Sequence, residues 1–403
     1  MGLPIERRHR TGLVAVAGAL AVSVAGCNLG KAPVNYTVNT SDSVFGETAS
    51  GDLNGDGALD LVVGTVTAYT VLLNDGAGGF TATETATTVP SVGAPRLVDV
   101  DSDDDLDLLS HNFGDTVGGS PEASYLWLGD GHGGFGEPTS LDGRRIGAVG
   151  DLNGDGHADL VSGTDGAPAA VVRLGDGAGG FGTEIVSPIA AAGPYLVRGE
   201  VADFNGDGDL DVMGIGVEIV CSDPSHCSFT SKAVLLTGDG TGALSASPLR
   251  PAGGLDLAVG DFDEDGALDA VTTDGATGAT TPATLSLLLG DGAGGIAPAV
   301  AVPLAKRACQ VDVGDFDSDG HLDLVLATEG STGTVLFGDG TGQFPAAHEI
   351  ATAGGPGVGD SPPCNSVLSV HLDGDARPDV AFVGTSNDTL TVLLNRWTHR
   401  PGH

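Results

Sequence analysis

The stretch "DLNGDGALD", residues 52–60, carries oxygen-bearing side chains at alternate places (Asp52, Asn54, Asp56), a glycine at its sixth position (Gly57) and a carboxylate at its ninth (Asp60). The same nine-residue pattern returns with its first position at Asp99, Asp151, Asp203, Asp261, Asp315 and His371, at gaps of 47, 52, 52, 58, 54 and 56 residues. Recurrence at a nearly fixed period of this size predicts a repeat architecture, in which each copy is one supersecondary unit that buries its apolar face against its neighbours.

Oxygen ligands at positions 1, 3 and 5, a backbone carbonyl at 7 and a carboxylate closing the site describe a cage for a hard cation, and glycine at 6 permits the sharp turn that brings the later oxygens back. Calcium suits six or seven flexible oxygens, whereas magnesium demands tighter octahedral geometry. The expected ligands are Asp52, Asn54, Asp56 and Asp60; Asp99, Asp101, Asp103 and Asp107; Asp151, Asn153, Asp155 and Asp159; Asp203, Asn205, Asp207 and Asp211; Asp261, Asp263, Asp265 and Asp269; Asp315, Asp317, Asp319 and Asp323; and Asp373, Asp375 and Asp379. Up to seven Ca2+ ions are therefore expected. A metal-free Asp/Asn/Gly turn is the alternative for any single copy, and the register-preserving recurrence of the carboxylates argues against it. Two copies depart from the pattern. The second has Asp104 in place of the glycine, and the last begins with His371 and has Ala376 there, which puts the seventh site in doubt.

The residues after each loop decide the fold class. An EF-hand would continue into a helix with Glu at position 12, where the first copy has Val63. Instead "LDLVVG", "LDAVTT" and "LDLVLA" are short β-branched runs ended by turn residues, which read as strands. Each repeat then reads as strand 1 before the loop, strand 2 after it, strand 3 as in "TVLLN", a tight glycine turn and strand 4. The turns recur as "GDGHGGF", "GDGAGGF", "GDGTGAL", "GDGAGGI" and "GDGTGQF", with Phe80, Phe135, Phe181, Phe344, Leu244 and Ile296 expected as core plugs. They superficially look like phosphate loops, but no helix signal or Gly-Lys-Ser/Thr follows.

Composition agrees with an all-β chain. Glycine is abundant at 67 residues, against 12 Phe, 4 Tyr and 2 Trp, too few aromatics for the girdles of a transmembrane barrel. The net charge of -38 comes from acids at fixed loop positions between apolar segments, which excludes a disordered acidic tail. Nucleic acid is excluded as a partner for want of clustered Lys and Arg.

On these loops and glycine turns the chain resembles the FG-GAP or VCBS repeat proteins, whose fold is the β-propeller of the integrin α-subunit head. The resemblance runs over roughly residues 33 to 396, and "DLNGDGHAD", "DFNGDGDLD", "DFDEDGALD" and "DFDSDGHLD" carry it with the first loop. It implies seven blades. The last copy stops after "TLTVLLN" without a glycine turn, while "VNYTVN" at 34–39 has no blade of its own, so the N-terminal strand is expected to complete the last blade and close the ring. Calcium loops and glycine turns then share one face. The irregular insertions "HNFGDTVGGSPEASY", "GVEIVCSDPSHCSFTSK", "TDGATGATTPAT" and "AGGPGVGDSPPC" share the other, where a partner would bind.

Residues 1–26 resemble a bacterial lipoprotein signal peptide: a basic start, an apolar stretch too short to span a bilayer comfortably and "VAGC" ending at Cys27. That implies lipidation of Cys27 and a tether over 27–32, with an ordinary secretory signal as the alternative. The propeller follows at 33–396 and a C-terminal tail at 397–403. In an exported protein the four remaining cysteines are expected to pair as Cys221 with Cys227 and Cys309 with Cys364, free buried thiols being the alternative.

No metalloprotease, nucleophile-elbow or nucleotide motif is found, and no catalytic residue or organic cofactor site is assigned. The expectation is a monomeric, non-catalytic, calcium-stabilised lipoprotein of the bacterial cell envelope, at the outer membrane or cell surface. It would bind a protein or glycan through its variable loops and meet the membrane through its anchor alone. The alternatives are an extracellular enzyme acting on polysaccharide at the channel mouth, marked by converging polar side chains there, and a structural envelope component or metal-dependent assembly module.

Overall fold

A computed structural model of the chain describes residues 34–37, 48–65, 68–87, 89, 93–112, 123–141, 143–164, 168–189, 195–223, 226–252, 254, 256–273, 283–329, 332–351, 366–384 and 389–396. The described chain is all-β and forms seven small antiparallel sheets in a ring. The first sheet shows the plan. Thr48–Gly51 leads into the acidic loop, Asp60–Gly64 and Ala68–Asn74 follow as strands 2 and 3, and Phe80–Ala86 is the outer strand. The sheets of the next five repeats keep this order.

Burial explains why these runs do not alternate. Strands 2 and 3 lie between two neighbouring sheets, so all of Asp60–Gly64 is buried, and only the outer strand, "FTATETA", turns its Thr and Glu to solvent. Each hydrophobic cluster is shared by consecutive sheets. Leu108 and Trp127 pack with Val62 and Val71, Phe382 packs with Phe337, and Leu61 and Leu72 of the first sheet pack with Val392 and Leu390 of the last. The second position of every loop (Leu53, Val100, Leu152, Phe204, Phe262, Phe316, Leu372) is buried. Of the six expected plugs, Leu244 and Ile296 are buried, while Phe80, Phe135, Phe181 and Phe344 are half-buried at cluster margins.

In the seventh sheet, Ser366–Val370, Asp379–Gly384 and Thr389–Leu393 are joined by Val34–Thr37, which pairs antiparallel with Thr389–Leu393 in the register Val34↔Val392 to Thr37↔Thr389. The first described strand of the chain is thus the outer strand of the last sheet.

One expectation needs correction. The segment "GVEIVCSDPSHCSFTSK" is not an irregular insertion. Asp211–Asp223 and His226–Gly238 are continuous 13-residue strands paired up to Asp223↔His226. Pairing with Tyr195–Ala202 stops at Val217, and the outer strand reaches no further than Lys232↔Pro251, so the tip projects as a two-stranded arm of about 20 Å. The period-2 run of β-branched residues through 217–220 supplies the strand propensity. The insertion segments 113–122, 274–282 and 352–365 lie outside the described residues, as do residues 1–33 with Cys27, and Cys364.

Candidate functional site

Each acidic loop is built by its own carboxylates. The first-position Asp collects backbone N–H groups: Gly55 N and Gly57 N donate to Asp52 Oδ1 and Oδ2, both at 2.8 Å. The bond from position 6 to Oδ2 recurs in the next five loops, from Asp104, Gly156, Gly208, Gly266 and Gly320 at 2.8–3.0 Å. The fifth-position carboxylate accepts the N–H of position 7 in every loop, as in Ala58 N to Asp56 Oδ1 at 2.9 Å. Position 4 is left-handed throughout, even where it is Ser102 (φ 62°), Glu264 (φ 57°) or Ser318 (φ 59°). Position 6 is left-handed in six loops, including at Asp104 (φ 69°), but Ala376 is not.

The ninth-position Asp, expected as a ligand, has a second role. It is buried in all seven loops, with one oxygen accepting the N–H of loop position 2 and the other the N–H at the end of strand 3. In the second loop these donors are Val100 N at 2.8 Å and Gly129 N at 2.7 Å, both to Asp107; in the last they are Leu372 N at 2.8 Å and Asn395 N at 2.7 Å, both to Asp379. Burial pushes Asp323 up to about 7 and Asp107, Asp269 and Asp379 up to about 6, against the lowering effect of the two N–H bonds.

Three loops bring carboxylate oxygens within 4.8 Å of one another: Asp99, Asp101 and Asp107; Asp261, Asp263 and Asp265; and Asp315, Asp317 and Asp323. In the second and fifth loops the third-position oxygens, Asp101 Oδ1 and Asp263 Oδ1, are buried without a hydrogen-bond partner. An orphaned anionic oxygen facing other carboxylates is the environment a hard cation relieves, so these residues fit calcium. In the third and fourth loops Asn153 and Asn205 instead direct their amides to Asp155 and Asp207, both at 2.8 Å. The seventh loop gathers Asp373 and Asp375 around the guanidinium of Arg396.

Loops are also joined from blade to blade. The carbonyl of loop position 2 accepts an N–H from the next sheet's glycine turn: Gly133 N to Leu53 O at 2.9 Å, Gly179 N to Val100 O at 3.1 Å, Gly242 N to Leu152 O at 3.2 Å and Gly342 N to Phe262 O at 2.8 Å. Around the seam, buried asparagine side chains also reach this carbonyl. Asn395 Nδ2 donates to Phe316 O and Asn74 Nδ2 to Leu372 O, each at 2.8 Å.

A family profile, the FG-GAP-like repeat, matches residues 52–110 and 151–214, the strand–loop–strand units just described. The chain carries FG-GAP-like repeats on a β-propeller of seven sheets. No curated protein matches it in sequence. Among solved structures it is similar to BBS1N in complex with ARL6DN, at 12% identity over 91% of this chain and 96% of that one with a TM-score of 0.54. It is also similar to an Agrocybe aegerita lectin that recognises non-reducing terminal N-acetylglucosamine, at 18% identity over 76% and 81% with a TM-score of 0.46. The likeness to BBS1N is one of fold.

The centre of this FG-GAP propeller holds a cavity of about 370 Å³ lined by the first strands of its sheets, among them Arg96, Arg198, Glu200, Gln310 and Asp312. Polar groups do converge there. Arg198 Nε pairs with buried Asp256 at 2.8 Å, and desolvation, partly offset by hydrogen bonds from Ser369 N and Val313 N, raises Asp312 to about 6. Three of these side chains are held by backbone groups of the following sheet: Asp256 Oδ2 accepts Val311 N at 2.8 Å, Asp312 Oδ2 accepts Ser369 N at 2.7 Å and Gln310 Oε1 accepts Val367 N at 3.0 Å. Cys309, on the same innermost strand as Gln310, is disulfide-bonded. The backbone register of the projecting arm sets Cys221 opposite Cys227.

Proposed function

We propose that this protein is a non-catalytic, calcium-stapled scaffold that presents a binding surface for a protein or glycan on the face opposite its acidic loops. The FG-GAP propeller fold supports a binding or scaffold role, and FG-GAP repeats are typical of extracellular or cell-surface proteins. The observation that carries the calcium reading is the pair of buried, partnerless oxygens of Asp101 and Asp263, each close to other carboxylates of its own loop. The ions would be structural, because the loops tie strand 1 to strand 2 and dock on the next sheet. Asp256 and Asp312 each give a carboxylate oxygen to a backbone N–H of the following sheet, which supports a scaffold over an enzyme.

The projecting arm marks the proposed binding face, since strand 2–strand 3 connections lie at the opposite end of each sheet from the loops. Its Cys221 and Cys227 stand as opposed Cα partners, a geometry within reach of a disulfide. Cys309 with Cys364 remains the second proposed pair.

Calorimetry with and without chelator tests the proposal. At a free calcium about ten times the dissociation constant, each site contributes about 1.4 kcal/mol by mass action. Six sites together rival the roughly 5–15 kcal/mol net stability of a whole domain. Chelation should therefore lower the melting temperature by many degrees. An unmoved melting curve, with a binding or catalytic activity abolished, would sink the structural role. Envelope anchoring through Cys27 belongs to the same proposal. Labelled palmitate should enter the wild type and not Cys27→Ser, and a wild type that takes up none removes the anchor.

A further inference from the structure

The residue after the end of strand 3 is an aspartate in six repeats, Asp75, Asp130, Asp176, Asp239, Asp291 and Asp339, and an arginine, Arg396, in the seventh. Hydrogen bonds fix this register: Asn395 N meets the ninth-position Asp379 at 2.7 Å just as Gly129 N meets Asp107. The exchange of an acid for a base falls in the repeat whose loop also loses its first carboxylate, at His371. The Arg396 guanidinium contacts Asp373 Oδ2 through Nη2 and lies 2.7 Å from Asp375 Oδ2 through Nη1. Arg377 adds a second guanidinium 3.1 Å from the same Asp375 oxygen. The Asp373 side chain is 2% exposed.

We infer that Arg396 is the resident cation of the seventh loop, in the seat proposed for calcium in the other loops, and that this loop binds no metal. The inference rests on the calcium reading of those loops. A divalent ion entering here would meet two guanidinium groups at short range, a repulsion that the remaining carboxylates already spend their charge offsetting. Ala376, outside the left-handed region, also does not make the turn that returns the seventh carbonyl toward the centre. The closing region of the propeller is thereby held by a cation that cannot dissociate when calcium falls.

Native mass spectrometry of the full chain counts bound calcium in the wild type, in Asp263→Asn/Asp265→Asn and in Asp373→Asn/Asp375→Asn. The fifth-loop variant should lose one ion and the seventh-loop variant none; an ion lost from the seventh-loop variant overturns the inference. If no form holds calcium, the calcium reading fails by itself, and melting of Arg396→Gln then decides. A fall of a few degrees, equal in chelator and in calcium, is expected. No fall in either condition overturns it, whatever the calcium count.

Discussion

The second loop puts Asp104 where its neighbours have glycine, the seventh puts Ala376 there, and the second alone keeps the left-handed turn. Asp tolerates positive φ better than alanine, yet tolerance is half of the difference. Asp104 N still donates to Asp99 Oδ2 at 3.0 Å, whereas position 1 of the seventh loop is His371, which offers no carboxylate. The loop's shape is therefore set by an anion gathering backbone N–H groups, and glycine lowers the strain of obeying it.

The largest expected effect lies where the two loops agree. Asp107→Ala and Asp379→Ala each strand two buried N–H groups at about 1–3 kcal/mol apiece, so in chelator both should lose roughly 2–6 kcal/mol in chemical denaturation. Clearly unequal losses would show that one ninth-position acid is not a staple. Both carboxyls are raised to about 6 by burial. A raised acid stabilises the fold fully below its ordinary value near 4 and loses that contribution as pH rises through its folded value. Chelated protein should thus weaken between pH 4 and 7, and stability that climbs across that window would contradict the assignment.

A smaller effect should separate the loops. Burial and the charges of Asp103 and Asp99 raise Asp101, so Asp101→Asn should cost about 1.4 kcal/mol in calcium at tenfold excess over the dissociation constant, and be neutral or stabilising in chelator. Asp373→Asn, which removes a partner of Arg396, should cost about 1 kcal/mol in both conditions. Calcium-dependent behaviour at Asp373 would erase the distinction. Smallest is the turn itself: Asp104→Gly should gain up to about 1 kcal/mol in thermal melts, and Ala376→Gly should gain nothing. Equal gains would mean that Ala376 also sits under left-handed strain.

The repeat, the strand after each loop and the seven sheets were legible in the sequence because they depend on period and on β-branched runs. So was the pairing of the N-terminal strand, from the missing fourth strand of the last repeat. Less legible was whatever depends on the neighbouring blade. Nothing local to Asn74 or Asn395 announces that its amide reaches a carbonyl in the preceding sheet. The left-handed fourth position is hidden because Ser102, Glu264 and Ser318 share it with glycines. Arg396 lies outside its loop by chain position and inside it by register. The projecting arm was misread because Cys, Ser, Asp and Pro interrupt a strand pattern that cross-strand pairing completes.

The pairing of Val34 with Val392 has a consequence for the order of events during synthesis. The outer strand of the last sheet is made roughly 350 residues before its partner. Through that interval the first strand lacks its native partner, and bringing the two together closes the longest loop among the described pairings. Asn395, whose amide bonds Phe316, also arrives after the strand that completes the ring. The seam is therefore the natural final step of folding, and a chain cut short before Thr389 would leave its first strand with an edge and nothing to cover it.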